Sequence, residues 1–256
     1  MRLSVVVPTF NERQSLPVIL ARVVQALPGV EKEIIVVDDC STDGTGAWLA
    51  ACIGGRPRVA AVDAGGGLVI LEDGAVATGP VARITALSHS VNQGKGAALR
   101  TGFRACSGAV LVIQDADLEY DPADWERFWP LFERDVADVV YGSRFATSLP
   151  HRCLYYHHYF ANKLISLIFS VLFNQILTDL EVCYKMFRRE VLDILTLRSD
   201  DFGFEIEFSA NVALNRTMRI YELGISYYGR TYADGKKIGW RDGLKALWYL
   251  VKFRFG

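Results

Sequence analysis

The sequence lacks a strong charge of either sign and any apolar run long enough to cross a membrane. Formal charges sum to only −1 over 256 residues, whereas nucleic-acid-binding domains are usually strongly basic. The most apolar helix-like stretch, residues 164–177, would extend roughly 21 Å at about 1.5 Å per residue, less than the roughly 30 Å of the hydrocarbon slab. A nucleic-acid partner and a membrane-spanning helix are therefore not expected.

The sequence also has few cysteines and no recognisable secretion signal. Its five cysteines are odd in number and lack paired spacing, which predicts reduced thiols rather than disulfides or a zinc site. The apolar run at residues 3–7 breaks at Pro8 and is too short for the core of a signal peptide. These absences predict a cytoplasmic protein.

The apolar residues that are present predict an α/β fold. Residues 3–7 and 33–37 are nearly continuous β-branched runs, and between them apolar residues recur at helical spacing across residues 16–27. Strand, helix and strand at this spacing form a βαβ unit, so we predict a mostly parallel Rossmann-like sheet with helices on both faces. Ligands of such sheets bind beyond the carboxyl ends of the strands, where residues 8–12 and 38–43 follow.

The rest of the chain continues this pattern, with one interruption. We predict a helix over residues 94–106, a strand over 109–113, a helix opening at Asp121-Pro122 and a strand over 138–141. Glycines punctuate short apolar runs in residues 54–88, which predicts a small antiparallel strand insertion with turns at residues 65–67 and at Asp73-Gly74. Residues 164–177 are predicted as a helix, either buried in the core or lying in a membrane interface.

An acidic cluster follows the predicted strand at residues 109–113. Asp115, Asp117 and Glu119 alternate along the chain, so in extended backbone they project to one side. Neighbouring carboxylates raise one another's pKa unless a cation lies between them, and oxygen ligands suit Mg²⁺ or Mn²⁺. The alternative is a solvated acidic turn that caps the following helix.

Two further motifs offer groups that could bind a nucleotide. Asn92-Gln93-Gly94-Lys95-Gly96 places a flexible, glycine-flanked lysine before a helix N-terminus, which suits a diphosphate, although it is not a Walker loop. The polar residues 38–45 combine acceptors for a base or ribose with a turn, or simply cap the helix that begins near Gly44.

Short motifs of this kind occur in order along nearly the whole chain. They are Pro8-Thr9-Phe10-Asn11-Glu12, Val37-Asp38-Asp39 with Ser41, Asp43-Gly44-Thr45, Asn92-Gln93-Gly94-Lys95-Gly96, Asp115-Ala116-Asp117-Leu118, Gly142-Ser143-Arg144, Thr178-Asp179, Lys185-Met186-Phe187-Arg188-Arg189, Gly229-Arg230-Thr231-Tyr232 and Gly235-Lys236-Lys237-Ile238. Together they resemble the inverting family 2 glycosyltransferases, in particular the dolichyl-phosphate mannosyltransferase and polyprenyl-phosphate glycosyltransferase branch.

The resemblance implies a glycosyltransferase A-type fold, a nucleotide-sugar donor and a set of site residues. The residues it implies for the donor are Pro8, Phe10, Glu12, Val37, Asp39, Lys95, Asp115 and Ala116. It places the metal and the diphosphate among Asp115, Asp117 and Glu119, where Glu119 departs from the glutamine that is frequent in the family. We expect a glycosyltransferase catalytic domain over residues 1–229, with residues 230–256 as a basic amphipathic segment of the same domain.

The charges of donor and acceptor suggest which kind of acceptor receives the sugar. A phosphate monoester is already ionised near pH 7 and needs no general base, but it needs cations to overcome repulsion by the donor. The candidates for this role are Arg144, Arg230, Lys236 and Lys237, and of these Arg144, Arg230 and Lys237, with Asp117, form the predicted catalytic set. We therefore expect transfer of a hexose from GDP-mannose or UDP-glucose to a polyprenyl or dolichyl phosphate, with Mg²⁺ or Mn²⁺.

Two other functions remain open at this point. A saccharide hydroxyl acceptor would require a base, for which Glu205, Glu207 and Asp179 are candidates, and a non-catalytic protein could retain nucleotide-sugar binding alone. The C-terminal residues favour a lipid acceptor because seven Lys or Arg stand against two acids in residues 230–256. A basic amphipathic helix there is typical of a peripheral protein at the cytoplasmic face of a membrane, although an ordinary packed helix shows the same periodicity.

Overall fold

Nine strands and seven α-helices form the part of the chain that the computed structural model describes, which is residues 1–71, 79–201, 203–230 and 240–255. The strands are β1 (Leu3–Thr9), β2 (Lys32–Asp38), β3 (Arg58–Val62), β4 (Leu68–Leu71), β5 (Val81–Ser88), β6 (Val110–Ile113), β7 (Val139–Ser143), β8 (Lys185–Arg188) and β9 (Ile220–Gly224). The helices are α1 (Leu16–Gln25), α2 (Thr45–Cys52), α3 (Lys95–Ala105), α4 (Trp125–Glu133), α5 (Tyr156–Phe173), α6 (Gly203–Leu214) and α7 (Trp240–Phe255). Two 3₁₀ helices, Pro122–Asp124 and Arg189–Ile194, precede α4 and follow β8.

The predicted βαβ unit is confirmed at the centre of the sheet. Strand β1 pairs in parallel with both β2 and β6, so that Val5 lies opposite Ile34 on one side and Val112 on the other. These side chains are fully buried, as expected for β-branched strands that are covered on both faces. Because β2, β1 and β6 run in one direction, their carboxyl ends meet at one edge.

The expectation of a mostly parallel sheet holds only for this central part. The strand order is β4-β3-β5-β2-β1-β6-β8-β7-β9, and of its eight neighbouring pairs four are parallel and four antiparallel. Strand β8 runs antiparallel to both β6 and β7, which reverses the sheet beside the acidic cluster. The fold class is α/β, with a mixed sheet.

The segment at residues 54–88 is only partly an insertion. Strands β3 and β4 form the predicted antiparallel hairpin, and Asp63 closes its turn by accepting hydrogen bonds from the N–H groups of Gly65 and Gly67. Strand β5, however, pairs in parallel with β2 and belongs to the main sheet. The turn predicted at Asp73-Gly74 lies outside the described residues.

Helices α5 and α7 each bury one face and expose another. Helix α5 buries Ile165 and Phe169, and α7 buries Ala246 and Leu250, while the two helices pack against each other and against α6. The helix predicted over residues 164–177 is thus only partly buried, and it spans Tyr156–Phe173 instead. A place in a membrane interface stays a prediction for both helices. No helix among the described residues has the length and apolarity to cross a bilayer.

The packing of α3 on the sheet predicts a severe effect of one substitution. A Cβ atom at Gly102 would lie 2.3 Å from Val6 Cγ1 on β1, so Gly102→Val should lower the free energy of unfolding by about 2–3 kcal/mol through overpacking. Urea denaturation monitored by circular dichroism measures the change. Gly29→Val is the matched control because nothing lies within 4 Å of a Cβ at that position, and equal stability of the two variants would contradict the packing argument.

Candidate active site

Three non-glycine residues adopt left-handed backbone where β1, β2 and β6 end. They are Asn11, Cys40 and Leu118, with φ of 57°, 62° and 65°. Such conformations are uncommon for residues other than glycine, and they concentrate at functional sites where the surrounding contacts hold them in place. The carboxyl edge of the central strands is therefore built with sharp turns that bring their loops together.

Hydrogen bonds between side chains and backbone join the first loop, which follows β1, to the second loop, which follows β2. The Asn11 N–H donates to Ser41 Oγ at 2.9 Å, and Asn11 Oδ1 accepts from the Thr42 N–H at 2.7 Å. The Glu12 N–H donates to Thr45 Oγ1 at 3.2 Å. In this structure the polar residues after β2 hold the loop that carries Phe10 and Glu12.

Asp39 is buried and joins the second loop to the segment before α3. Its carboxylate accepts from the N–H groups of Gln93 at 2.9 Å and Gly94 at 2.7 Å, and His89 Nδ1 lies 2.7 Å from Oδ1. These contacts fix the entry to α3. The direct role of Asp39 as a nucleoside ligand stays a prediction.

The glycines beside Lys95 allow a close backbone approach. A Cβ at Gly94 would lie 2.4 Å from Asp200 O and one at Gly96 would lie 2.2 Å from Ser199 O, and the Gly96 N–H donates to Asp200 O at 2.8 Å. The sequence suggested that N–H groups here cradle a diphosphate. In the structure the N–H groups of Gln93 and Gly94 donate to the Asp39 carboxylate, and the N–H of Gly96 donates to Asp200 O.

Lys95 points at the acidic cluster rather than at solvent. Its Nζ lies 2.7 Å from Asp115 Oδ1 and 3.5 Å from Glu205 Oε1. Burial disfavours the charged ammonium, but the neighbouring carboxylates raise the pKa of Lys95 well above its ordinary value. Lys95 therefore stays charged and holds Asp115 at the end of β6.

Asp117 is the member of the acidic cluster whose charge is least compensated. Burial raises the pKa of its carboxyl to about 7, and the charges of Asp115 and Glu119 add to that increase. An additional cation beside Asp117 would relieve this repulsion, so the chemistry of the donor set fits a divalent metal ion.

The predicted metal trio is nevertheless not assembled. No three His, Cys, Asp or Glu side chains within the described ranges are grouped so that they could hold a metal. Glu119 is turned towards the C-terminal segment, where it accepts from the Arg230 N–H at 2.7 Å and from the Tyr227 hydroxyl at 3.3 Å. The assignment of Asp115, Asp117 and Glu119 as metal ligands stays a prediction.

The side chain of Arg230, in the C-terminal part of the chain, contacts the first loop, which follows β1. Its Nη2 donates to Glu12 Oε2 at 2.6 Å and its Nε donates to Asp117 O at 3.1 Å. A cavity of about 490 Å³ lies beside it, lined also by Asp117 and Asp121. Arg230 thus contacts both Glu12 and Asp117, which are far apart in sequence, and Asp117 and Arg230 line this cavity.

The predicted donor residues Pro8, Phe10, Val37 and Ala116 are not among the residues that line this cavity. Pro8 and Phe10 are half-buried at the end of β1. Val37 and Ala116 are buried in the hydrophobic core, and their role at the donor stays a prediction. The predicted acceptor residues Lys236 and Lys237 lie outside the described residues.

Arg144 forms a bidentate ion pair with a fully buried carboxylate. Its Nε and Nη2 each donate to Asp179 at 2.7 Å, and its own N–H donates to the same carboxylate at 3.0 Å. The guanidinium lies over the Tyr227 ring, 5.4 Å from its centroid. Arg144 also lines a second cavity of about 340 Å³ that is rich in aromatic side chains.

All three carboxylates that were candidate general bases are engaged. Asp179 is paired with Arg144, and Glu207 accepts from the N–H groups of Arg198 and Ser199. Glu205 is held between Lys95 and the fully buried Lys185. Burial would raise the pKa of Glu205, but Lys185 and Lys95 bring it below its ordinary value, so Glu205 is a poor proton acceptor.

Sequence reasoning assigned no role to two groups that build this region. Lys185 pairs with Glu205, and Glu222 accepts from the N–H groups of Thr178 and Asp179 at 2.8 and 3.3 Å. A lysine beside the apolar pair Met186-Phe187 was a usable signal for a buried ion pair. Glu222 gave no such signal, because its partner lies 44 residues away.

The likeness to known structures identifies the class of fold. In the crystal structure of glucosyl-3-phosphoglycerate synthase from Mycobacterium tuberculosis in complex with Mn²⁺, UDP and glucosyl-3-phosphoglycerate, 80% of that chain superposes on 99% of this one, with a TM-score of 0.63 and 17% identity. At that identity the likeness concerns the fold alone, which is the expected glycosyltransferase A-type fold.

Residues 4–67 and 78–195 match the glycosyl transferase family 2, and the chain belongs to this family. It is 28% identical to the undecaprenyl-phosphate mannosyltransferase of Micrococcus luteus, with all of both chains covered. It is 29% identical to the polyprenol monophosphomannose synthase of Mycolicibacterium smegmatis over 93% of this chain and 82% of that protein. The resemblance seen in the sequence motifs is confirmed.

The Arg144–Asp179 pair predicts that Asp179 is needed for folding. Asp179→Ala leaves a buried guanidinium without its counter-charge and should lower the free energy of unfolding by about 3 kcal/mol in urea denaturation. Asp200→Ala is the matched control, since Asp200 pairs with Arg100 but its side chain is 64% exposed, and it should change stability by less than about 1 kcal/mol. Unchanged stability of Asp179→Ala would contradict the structural role.

The raised pKa of Asp117 predicts a pH-dependent stability in the absence of metal. The pKa is about 7 in the folded protein against an ordinary value of 3.8, so the stabilising contribution of the neutral carboxyl is lost as pH rises from about 4 through about 7. Asp117→Asn, which is always neutral, should be more stable than the wild type by about 1–3 kcal/mol at pH 8 and nearly equal to it at pH 4.

Chemical denaturation in EDTA at the two pH values measures this difference. Asp121→Asn, in the wall of the same cavity, is the control for the removal of one formal negative charge from that wall. An Asp117→Asn variant with the same relative stability at both pH values would show that the carboxyl is not perturbed.

Proposed function

We propose that this protein is an inverting glycosyltransferase that moves a hexose from a nucleotide-diphospho-sugar to a polyprenyl phosphate. The relatives from Micrococcus luteus and Mycolicibacterium smegmatis support the choice of acceptor, because their names specify undecaprenyl phosphate and polyprenol, and the similarity covers most or all of each chain. Mannose is the sugar in both names, which makes GDP-mannose the first donor to test, with UDP-glucose second.

The observation that carries the choice of a phosphate acceptor is the engagement of the candidate bases. A sugar hydroxyl must lose its proton as it attacks, and that requires a carboxylate able to accept it. Asp179, Glu205 and Glu207 each have a cationic or N–H partner. A phosphate monoester, with a second pKa of about 6, is already an anion at pH 7 and makes such a base unnecessary.

The proposed reaction is a single displacement at the anomeric carbon. An oxygen of the acceptor phosphate forms the new bond to that carbon while the bond to the donor diphosphate breaks, so the nucleoside diphosphate leaves with the electron pair and the configuration inverts. Asp115 and Asp117 would hold Mg²⁺ or Mn²⁺, which stabilises the charge that develops on the leaving diphosphate.

Arginine side chains bring the second anion to the site in this proposal. Arg230 lies beside Asp117 in the larger cavity, and Arg144 lines the second cavity. Their fixed guanidinium groups offset the repulsion between a phosphate acceptor and a diphosphate donor. Lys236 and Lys237 belong to the same proposed set on sequence grounds, and the reaction is proposed to occur at the cytoplasmic face of a membrane.

Organic-phase counting tests the proposal directly. The protein is incubated with undecaprenyl phosphate and with radiolabelled GDP-mannose or UDP-glucose, and the label in the organic phase is counted after extraction. We expect transfer from one of the two donors, loss of at least about 100-fold on removal of divalent metal with EDTA, and recovery on addition of Mn²⁺ or Mg²⁺.

Asp117→Asn should lose transfer to a similar extent, while Asp200→Ala, which changes an exposed carboxylate outside the site, should retain it. Absence of lipid-linked label with every donor would overturn the proposed acceptor. Transfer that survives both EDTA and Asp117→Asn would overturn the proposed metal dependence.

A further inference from the structure

Helix α5 exposes an unbroken apolar stripe to solvent. At about 100° per residue its members fall within an arc of about 80°, and each side chain is between 39% and 78% exposed. They are Tyr156, Phe160, Leu164, Leu167 and Val171. The opposite side of the helix buries Ile165 and Phe169 in the core, so the helix is apolar on both sides.

An ordinary surface helix places polar residues on its outer side. Exposed apolar area of this kind marks a place where the protein contacts another apolar phase or partner. On α5 the polar residues do not interrupt the stripe: Lys163, for example, projects towards Phe145 on the neighbouring loop, with Nζ 4.9 Å from the ring centroid. The stripe is thus a continuous contact surface.

Helix α7 extends this surface. Trp248, Val251 and Phe255 are between 55% and 73% exposed and fall on one side of the helix at spacings of three and four residues. Helices α5 and α7 pack against each other, and Arg254 Nε donates to Leu172 O at 2.8 Å. We call the eight exposed side chains on these two helices the α5–α7 face.

The charges beside the α5–α7 face identify its partner as an anionic surface. Residues 156–173 contain no Asp or Glu, and residues 240–255 contain only Asp242. Three exposed basic residues, Lys245, Lys252 and Arg254, lie on α7. Lys252 Nζ lies 5.0 Å from the centroid of the exposed Trp248 ring, so positive charge and aromatic surface occur together.

We propose that the α5–α7 face docks on the interface of a bilayer that contains anionic phospholipid. Apolar side chains would enter the boundary between headgroups and acyl chains, and the basic residues would meet the lipid phosphates. A second copy of the chain is a poorer occupant, because pairing two such faces would bring like charges together. Tyr156 belongs both to this face and to the cavity of Arg144, so docking would place that cavity at the membrane surface.

The placement of the Arg144 cavity at the membrane surface rests on the proposed function, because only a lipid acceptor requires that cavity to open at a bilayer. Membrane binding itself is measured without the acceptor. The full chain is sedimented with vesicles of phosphatidylcholine alone or with about 30% phosphatidylglycerol, both lacking polyprenyl phosphate. We expect binding to the anionic vesicles that weakens with added salt.

Leu167→Glu with Val171→Glu places two charges in the stripe without touching the core. This double variant should bind anionic vesicles at least about tenfold more weakly than the wild type. Val18→Glu is the matched control, since Val18 is an exposed valine on α1, and it should bind as the wild type does. Unfolding midpoints of the variants establish that each is folded.

Lys245→Gln with Lys252→Gln tests the basic component independently. It should weaken binding to anionic vesicles by about tenfold or more and leave binding to phosphatidylcholine nearly unchanged. Equal binding of the wild type and both double variants to anionic vesicles would overturn the proposal. The proposal would also be overturned if the wild type bound no vesicles but formed a dimer, and if Leu167→Glu with Val171→Glu converted that dimer to a monomer.

Transfer to a short-chain, water-soluble prenyl phosphate separates this proposal from the proposed function. The double variants should retain this activity while losing vesicle binding. Vesicle binding by the wild type without transfer to any prenyl phosphate would leave the docking face standing and overturn the proposed reaction.

Discussion

A buried chain of alternating charges holds the site in place. Lys95 at the start of α3 contacts Asp115 after β6 and Glu205 on α6, and Glu205 in turn binds Lys185 at the start of β8. Unpaired charges are costly in the interior, so each member constrains the others. The chain ties two helices to the strand end that carries the acidic cluster, and the position of Asp115 and Asp117 depends on it.

The same rule of pairing decides which carboxylates are available for chemistry. Asp39, Asp179, Glu205 and Glu207 all accept hydrogen bonds or ion pairs inside the protein, and these contacts fix loops and helices. Asp117 is the exception, since its charge is repelled by its neighbours. The proposed metal-assisted reaction depends on this one carboxylate, whose charge its neighbours oppose, beside the Arg230 side chain.

Local pattern was enough to predict the elements around β1, β2 and β6, because β-branched runs and helical periodicity act over a few residues. It did not predict that β8 would reverse the sheet, since Lys185–Arg188 is short and half of its residues are charged. It also assigned β5 to an insertion, because glycines surround that strand and its pairing with β2 is set by contacts about 50 residues apart. Strand order is a non-local property that periodicity does not encode.

The candidate site also has some features that the sequence predicted and others that only the tertiary structure shows. Sequence motifs by themselves determined the family, the acidic cluster and the basic, apolar character of the C-terminal helix, because residue types and short spacings suffice for these features. Only the tertiary structure decided that Glu119 binds the Arg230 segment, that the three candidate bases are paired, and that α5 and α7 present one apolar face. Those outcomes depend on which charges and surfaces the fold brings within a few ångströms, and distance along the chain carries no information about that.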